Sequence, residues 1–281
     1  MIRHLFCLAV ALVLVAFTLY MAEAQTLRLY DLAQQQELKG LKAVKALSGV
    51  RIILVGEQHD NPYHHQAQFT VIQALQQAGR KPAVALEMFR FDGQASLDKW
   101  IAGEINEERF KAIFLDHWGD SWDLYAPIFL YGRENQIPMV GLNVSRSITS
   151  QVAYNGFASL KEEQRGQLKG ITCDVTQSYR DFIRHAYGSH GHDNLSFERF
   201  CEAQLVWDTA MAIHANAYAN NNPDRIVVIL AGSGHARKHG IPTQLKKINA
   251  PDVAVILPQT PGVYEVASMT TKEADYIFIF D

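Results

Sequence analysis

The chain has 281 residues, of which 48% are hydrophobic and 20% are charged, and its formal net charge at pH 7 is −3. This length and composition are those of one large globular domain or two small ones. The slightly acidic balance excludes broad nucleic-acid binding, because such binding needs a positive electrostatic field over the surface. We therefore expect no nucleic-acid partner.

The first 24 residues have the three parts of a secretory signal peptide. Arg3 supplies a basic start, the run LFCLAVALVLVAFTLYMA is apolar, and residues 22–24 (AEA) form an A-x-A cleavage signal. A membrane anchor is the alternative, although the apolar run is barely long enough to span a bilayer. We predict cleavage after Ala24 and export of a mature chain, 25–281, to the periplasm or the outer membrane.

Short apolar runs along the chain predict the strands of a sheet. The runs are continuous rather than alternating, which is typical of parallel strands that are buried on both faces. Helical patterns separate them; Asn61 can cap a helix that begins at Pro62 and ends near Gly79. The predicted fold is an α/β domain with a mostly parallel central sheet flanked by helices. The runs are 50–55, 83–88, 137–142, 225–231, 253–257 and 276–280.

The segment from about Ile148 to Asn222 contains no run with the pattern of a strand. We expect it to be a helical insertion between the third and fourth predicted strands, within a single domain. Its clearest helix runs from about Phe197 to Ala219 and carries a stripe of side chains on one face. The plain interpretation is a core stripe, although two of its members are polar. The stripe consists of Phe200, Gln204, Trp207, Met211, His214 and Tyr218.

Acidic residues and histidines cluster at the predicted strand ends. Ligands of open α/β sheets bind outside the carboxyl ends of the strands. Glu57 and His59 follow the first predicted strand, Glu87 ends the second, and His235 follows the fourth. Two histidines and two carboxylates would suit Zn²⁺ or Mn²⁺ in a metal-dependent hydrolase. Alternatively, His59 or His235 would act as a general base without a metal.

Four motifs occur in a characteristic order. GEQHDN follows the first predicted strand, ALEMF lies at the second, QLVWDTAMA lies on a late helix, and GSGHARKHGIP follows a late strand. From about Leu54 to Pro242 the chain thereby resembles the ChaN-like haem-binding family, a relative of the Tiki, TraB and erythromycin-esterase-like proteins. The resemblance implies an α/β fold with a helical insertion, export from a bacterial cytoplasm, and haem or iron uptake. In the Tiki group the matching positions serve a metal-dependent peptidase; here they are Glu57, His59, Glu87 and His235.

A haem surface is the second candidate site, in the segment SYRDFIRHAYGSHGHDN, residues 178–194. Haem iron takes tyrosine or histidine as axial ligands. Tyr179 is our first choice, because an anionic phenolate stabilises ferric iron, and His185 is the second. Arg180 and Arg184 suit the haem propionates, which are carboxylates. The alternative is a polar, glycine-broken loop whose histidines are solvated.

Cys173 and Cys201 are the cysteines of the predicted mature chain. In an oxidising compartment they are a candidate disulfide, worth roughly 3–4 kcal/mol in the chain-entropy model; two unpaired buried thiols are the alternative.

Our first hypothesis is a haem-binding protein that assists haem or iron uptake without catalysis, and the alternative is the hydrolase. The expected partners are haem, an outer-membrane haem receptor or periplasmic haem carrier, and a second copy of the chain, because a flat porphyrin exposes a large apolar area.

Overall fold

The computed structural model describes residues 26–168, 170–189 and 196–280 of the chain. The predicted signal peptide, residues 1–24, lies outside these residues, as do His190 and His192 of the predicted haem segment. Within the described part of the chain, no helix is long and apolar enough to cross a membrane.

Eight strands form one sheet in the order β2-β1-β8-β7-β3-β6-β4-β5. β1 is antiparallel to both of its neighbours, and all other neighbouring strands are parallel. The prediction of a mostly parallel α/β sheet is confirmed, and each of the six predicted runs overlaps one strand. The strands are β1 Arg28–Asp31, β2 Gln36–Lys39, β3 Ile52–Glu57, β4 Pro82–Arg90, β5 Met139–Asn143, β6 Ile226–Gly232, β7 Val253–Pro258 and β8 Tyr276–Phe278.

The hairpin of β1 and β2 was not predicted, because neither strand has a continuous apolar run. Their sequences are RLYD and QELK, and β2 lies at the edge of the sheet, where its side chains are mostly exposed. An edge strand needs only one neighbour and tolerates polar side chains on its open side. The hydrophobic pattern that identifies central strands is therefore missing here.

Helices cover both faces of the sheet. Ile52 and Leu54 of β3 join the hydrophobic cluster on one face, while Ile53 and Val55 join the cluster on the other. All four side chains are fully buried, and each such burial contributes roughly 1.5–3 kcal/mol. Both faces of this strand must therefore be apolar, which is the physical reason for its continuous run.

The helix after β3 begins and ends where the sequence predicts. The side chain of Asn61 accepts a hydrogen bond from the backbone N–H of Tyr63 at 3.0 Å, and Pro62 occupies the first turn. Gly79 follows the helix with φ of +74°, a conformation that glycine adopts without strain.

The helices are α1 Leu41–Leu47, α2 Pro62–Gln77, α3 Gln94–Ile101, α4 Glu107–Trp118, α5 Trp122–Glu134, α6 Arg146–Asn155, α7 Glu162–Gln167, α8 Gln177–Ser189, α9 Phe197–Asn221, α10 Ser233–Ala236 and α11 Ile241–Lys247.

The described elements between β5 and β6 are the helices α6 to α9 and a short 3₁₀ turn. At the carboxyl edge of the sheet, Glu57 of β3 lies opposite Gly232 of β6 in the parallel register. β4 continues past this edge to Arg90, and its pairing with β5 becomes irregular after Leu86. Glu87 therefore lies in the irregular part of β4 rather than at its last residue.

Candidate functional site

A cavity of about 610 Å³ lies at the carboxyl edge of the sheet. The structure brings all four of the predicted strand-edge residues to this one cavity. Residues of α9 complete the wall, so the helical segment between β5 and β6 covers the strand ends. The cavity is lined by Glu57, Gln58, His59, Glu87, Arg90, His117, Trp118, Asn143, Val144, Arg146, Phe200, Gln204, Trp207, Gly232, Ser233, Gly234, His235 and Tyr264.

Glu57 is a buried carboxylate surrounded by hydrogen-bond donors. Its Oε1 accepts a hydrogen bond from the hydroxyl of Tyr125 at 2.7 Å and lies 2.7 Å from Nδ1 of His59. Nδ1 of His65 lies 2.9 Å from its Oε2. Burial by itself raises the pKa of Glu57, but the bonds to His59 and His65 outweigh burial and lower that pKa to about 2. Glu57 is therefore an ionised carboxylate that fixes two imidazole rings.

His59 presents the more exposed imidazole of the cavity, since 48% of its side chain is accessible to solvent. Its Nδ1 faces Glu57, and its ring packs edge-on against Trp118 with centroids 5.0 Å apart. Burial lowers the pKa of this ring, but the hydrogen bond to Glu57 and the charge of Glu87 outweigh burial and raise it above 6.5. Nε2 is the ring nitrogen that remains for a ligand.

Glu87 is held in place by the backbone and faces the second imidazole. Its Oε2 accepts a hydrogen bond from the N–H of Gly232 at 2.6 Å, and its backbone carbonyl accepts one from the side chain of Asn143 at 2.9 Å. Its Oε1 lies 3.7 Å from Nε2 of His235. The strand-edge backbone therefore fixes Glu87 beside the ring of His235.

His235 is oriented from behind by Asp208 of α9. Nδ1 of His235 lies 2.6 Å from Oδ1 of Asp208, and Oδ2 of Asp208 accepts a hydrogen bond from the hydroxyl of Tyr179 at 2.7 Å. Burial lowers the pKa of His235, but the charges of Glu87 and Asp208 outweigh burial and raise it to about 9. At neutral pH the ring is therefore protonated, and its Nε2–H is a proton donor at the cavity.

The cavity thus holds two carboxylate–imidazole pairs, Glu57 with His59 and Asp208 with His235. Each carboxylate binds Nδ1 and leaves Nε2 for proton transfer, which is the arrangement of acid–base catalysts. Sequence reasoning missed Asp208, His65 and Tyr125 as members of the site. Asp208 left one signal, because a carboxylate among the apolar residues of QLVWDTAMA is unusual in a buried helix face.

A carboxylate engages Nδ1 of both predicted histidines, and Oε2 of Glu87 accepts a backbone N–H. A carboxylate on one ring nitrogen is also the usual partner of a histidine that binds a metal through the other. Among residues 26–168, 170–189 and 196–280, no group of three or more His, Cys, Asp or Glu side chains is placed to hold a metal ion. The Zn²⁺ or Mn²⁺ alternative stays a prediction, and we derive no metal-dependent step.

The structure places Tyr179 inside the protein, which argues against our first choice of axial haem ligand. Its side chain is 4% exposed, and its hydroxyl donates to Asp208. Burial, followed by the charge of Asp208, raises the pKa of Tyr179 well above 10, so the phenolate that ligates ferric iron is disfavoured. A haem at the surface would not reach this oxygen.

The two predicted propionate partners lie on α8 at the surface. Nε of Arg180 is 2.9 Å from Oε2 of Glu198, so part of its charge is already paired. The guanidinium carbon of Arg184, an exposed residue, lies 4.6 Å from the ring centroid of Phe197. The backbone of His185 belongs to the same helix, while its side chain lies outside what the structure describes.

The predicted disulfide is not formed, since Cys173 and Cys201 are both free thiols in the structure. Sγ of Cys173 donates to the backbone carbonyl of Glu202 at 3.7 Å, while Cys201 is fully buried in a small hydrophobic cluster that includes Tyr179. Burial raises the pKa of Cys173 to about 12 and that of Cys201 to about 11. Cys201 is thus a buried thiol and Cys173 a partly buried one, and the structure agrees with the alternative interpretation in that the two are unpaired.

Comparisons with known proteins found similar chains and similar folds. A structure of cofacial haem binding to ChaN of Campylobacter jejuni has a TM-score of 0.70 and 22% sequence identity, covering 92% of this chain and 98% of that one. An erythromycin esterase has a TM-score of 0.49 and 15% identity, with 91% and 83% covered. Protein RETICULATA-RELATED 5, chloroplastic, of Arabidopsis thaliana is 24% identical in a 253-residue alignment that covers 80% of this chain and 34% of the relative. The chain thus spans about a third of that relative's length.

At 22% identity, the similarity to the ChaN structure shows the fold alone. The family described as "Haem-binding uptake, Tiki superfamily, ChaN" matches residues 43–245, which is more than half of the chain. The match contains helix α8 and every lining residue of the strand-edge cavity except Tyr264. This chain therefore belongs to the ChaN family of haem-binding uptake proteins in the Tiki superfamily.

Proposed function

We propose that this protein binds haem as a step in haem or iron uptake. The observation that carries the proposal is the match of residues 43–245 to the haem-binding uptake family. ChaN of Campylobacter jejuni, which shares the fold over 92% of this chain, binds haem cofacially, and we propose the same ligand here. Export to the periplasm is part of the proposal and is supported by the signal-peptide pattern in residues 1–24.

Helix α8 supplies the surface that we propose for haem. Arg184 is exposed, and its guanidinium stacks on Phe197, so its N–H groups remain available to a propionate. Arg180 lies one turn earlier and shares its charge with Glu198. His185 becomes our axial-ligand candidate, because a neutral imidazole ligates haem iron and Tyr179 is bound to Asp208.

A second copy of the chain is the partner that an exposed haem favours. A porphyrin bound on a surface helix leaves one flat apolar face in solvent, and a large exposed apolar patch is normally covered by a partner. We propose a haem-linked homodimer, with an outer-membrane receptor or periplasmic carrier as the source or acceptor of haem.

The test is a haemin titration of the chain that begins at Gln25. The Soret band measures haemin binding, and size-exclusion chromatography measures the oligomeric state. We expect binding with a shifted Soret band, a changed band in His185→Ala, and weaker binding in Arg184→Gln. Arg80→Gln is the matched control, because Arg80 is also exposed but precedes β4 at the opposite edge of the sheet. Absence of haemin binding by the wild-type protein contradicts the proposal.

Acid–base hydrolysis in the cavity is a second candidate function, favoured by the orientation of His235. Asp208 fixes its Nδ1 at 2.6 Å, and its Nε2–H faces Glu87 in the cavity. We propose that His235 donates a proton to a leaving group while His59, paired with Glu57, accepts a proton from water. This division of roles suits a buried ring with a pKa of about 9 as the proton donor and the more exposed ring as the proton acceptor.

Hydrolysis of nitrophenyl esters, followed by absorbance, tests this second function. Loss of a positioned acid or base lowers the rate by roughly 10²–10⁴-fold, so His235→Asn and His59→Asn should each abolish most of the turnover. His214→Asn is the control, because His214 lies on α9 and bonds to the carbonyl of Leu142 instead of lining the cavity. Turnover that is equal in all variants removes the hydrolase from consideration.

A further inference from the structure

The cavity contains one cation, Arg146, that no described residue neutralises. Its two anions have partners, since Glu57 contacts His59 and Glu87 faces His235. Its other arginine, Arg90, is already balanced. Arg146 lines the same cavity at the first residue of α6, is exposed, and makes no ion pair within the described part of the chain.

Two aspartates outside the cavity form ion pairs with Arg90 and neutralise its charge. Nε of Arg90 is 3.3 Å from Oδ1 of Asp92, and its Nη2 is 2.9 Å from Oδ2 of Asp116. Neither aspartate lines the cavity. His117, which also lines it, has its pKa lowered to about 4, mainly by burial and then by the charge of Arg90, so its ring is neutral. Arg146 is therefore left as the guanidinium that a ligand can pair.

Aromatic side chains also line the cavity. Trp118 packs edge-on against His59 with ring centroids 5.0 Å apart, and Trp207 packs edge-on against His235 at 5.8 Å. Phe200 also lines the cavity. Indole and phenyl rings bind flat apolar groups well, and small-molecule sites are typically apolar clefts of 300–1,000 Å³ with a few placed polar groups. The cavity of about 610 Å³ falls in this range.

We propose that the strand-edge cavity binds an organic acid, with a flat apolar body against Trp118 and Trp207 and a carboxylate or phosphate on Arg146. The planar guanidinium pairs with two oxygens of either anion. The first turn of α6 contains no acidic side chain that would compete for the cation. The protonated ring of His235 adds a second donor on the floor of the cavity. The inference concerns binding alone and goes beyond both proposed functions.

Calorimetric titrations with three probes test the inference: naphthoate, naphthyl phosphate and naphthalenemethanol share one flat body and differ in charge. We expect both anions to bind, the neutral alcohol to bind at least tenfold more weakly, and the stronger anion to identify which acid the site prefers. Arg146→Gln should weaken binding of the preferred anion about tenfold, and Arg146→Lys should weaken it less. Arg80→Gln, an exposed arginine remote from the cavity, should leave the affinity unchanged.

A second titration, with haemin already bound, separates this site from the haem site, because haem is itself a flat organic diacid. We expect anion binding to persist, and haemin binding to the Arg146→Gln variant to be unchanged. Equal affinities of the three probes, no binding of any probe, or equal affinities of wild type and Arg146→Gln would overturn the inference. Displacement of the probe by haemin would also overturn it, by making the cavity the haem site. Whether the protein binds haem at all is measured independently of the probes, from the Soret band.

Discussion

The strand-edge cavity and helix α8 place their charged side chains in opposite ways. In the cavity, the strand ends place Glu57 and Glu87 in the interior, where the burial of an unpaired carboxylate is costly. Each therefore has hydrogen-bond donors beside it. On α8, Arg180 and Arg184 lie on a surface helix, and their partners are a carboxylate and a ring on α9. The cavity is suited to chemistry, and the helix face is suited to docking a large ligand.

The two regions are nevertheless joined by one buried carboxylate. Asp208 is 1% exposed and bonds to Tyr179 of α8 on one side and to His235 of α10 on the other. A change in the packing of α8 therefore changes the surroundings of a cavity histidine. The surface helix α8 is therefore part of the support of the cavity.

The largest effect is expected from Asp208→Ala. The substitution leaves the protonated ring of His235 and the hydroxyl of Tyr179 without their partner in the interior, and breaking a buried pair in this way costs about 3–5 kcal/mol. Urea denaturation monitored by circular dichroism should show this loss in the free energy of unfolding. Asp224→Ala is the control, since Asp224 forms a surface pair with Lys81 and should show no measurable change. Equal free energies of unfolding in the two variants would contradict the proposed link through Asp208 between α8 and His235.

The next largest effect is a dependence of stability on pH. The pKa of His235 is raised from 6.5 to about 9 in the folded protein. A raised pKa means that its stabilisation is complete below pH 6.5 and is lost as the pH rises through 9. We expect the free energy of unfolding to fall by about 1–3 kcal/mol over this window.

Above pH 6.5, the free energy of unfolding should fall less steeply with pH in His235→Gln than in the wild type. The slope should not vanish, because the pKa values of His59 and His65 are also raised. His214→Gln is the matched control: burial lowers the pKa of His214, so its titration acts below pH 6.5 and leaves the upper slope intact. A slope in His235→Gln identical to that of the wild type would contradict the assignment.

Tyr179→Phe should have a smaller effect on stability and none on the haem spectrum. The substitution keeps the ring and leaves one oxygen of Asp208 unpaired, at a cost of about 1–2 kcal/mol. Denaturation and a haemin titration of the same sample measure both properties. A lost Soret band with unchanged stability would mean that Tyr179 is the iron ligand after all and that α8 leaves Asp208 when haem binds.

The smallest effect concerns the thiols of the same region. Cys201 is fully buried, and burial raises the pKa of both cysteines, so alkylation by iodoacetamide at pH 8 should be slow in the folded protein. Mass spectrometry should find it faster in Tyr179→Phe, because the loosened contact between α8 and α9 opens the cluster more often. Immediate alkylation of Cys201 in the wild type would show that this segment is not packed as described. Two cysteines protected from alkylation until a reductant is added would restore the predicted disulfide.

The sheet and the strand-edge residues were readable from local sequence. The run 50–55 had to be a central strand because only a strand covered on both faces is apolar at every position, and Asn61-Pro62 marked the helix that follows. Glu57, His59, Glu87 and His235 could be assigned to one edge because parallel strands present their carboxyl ends together. The edge hairpin of β1 and β2 could not be predicted, because its strands lack that apolar pattern.

The sequence by itself determined the α/β class and the edge that carries the chemistry. Only the tertiary structure decided that the hydroxyl of Tyr179 faces inward to Asp208, that Asp208 orients His235, and that Arg146 reaches the cavity. Strand-end positions follow from hydrogen bonding between neighbouring strands, which has a fixed period. The direction of a side chain on a helix, by contrast, depends on how that helix packs against residues distant in the chain, and no local pattern encodes that packing.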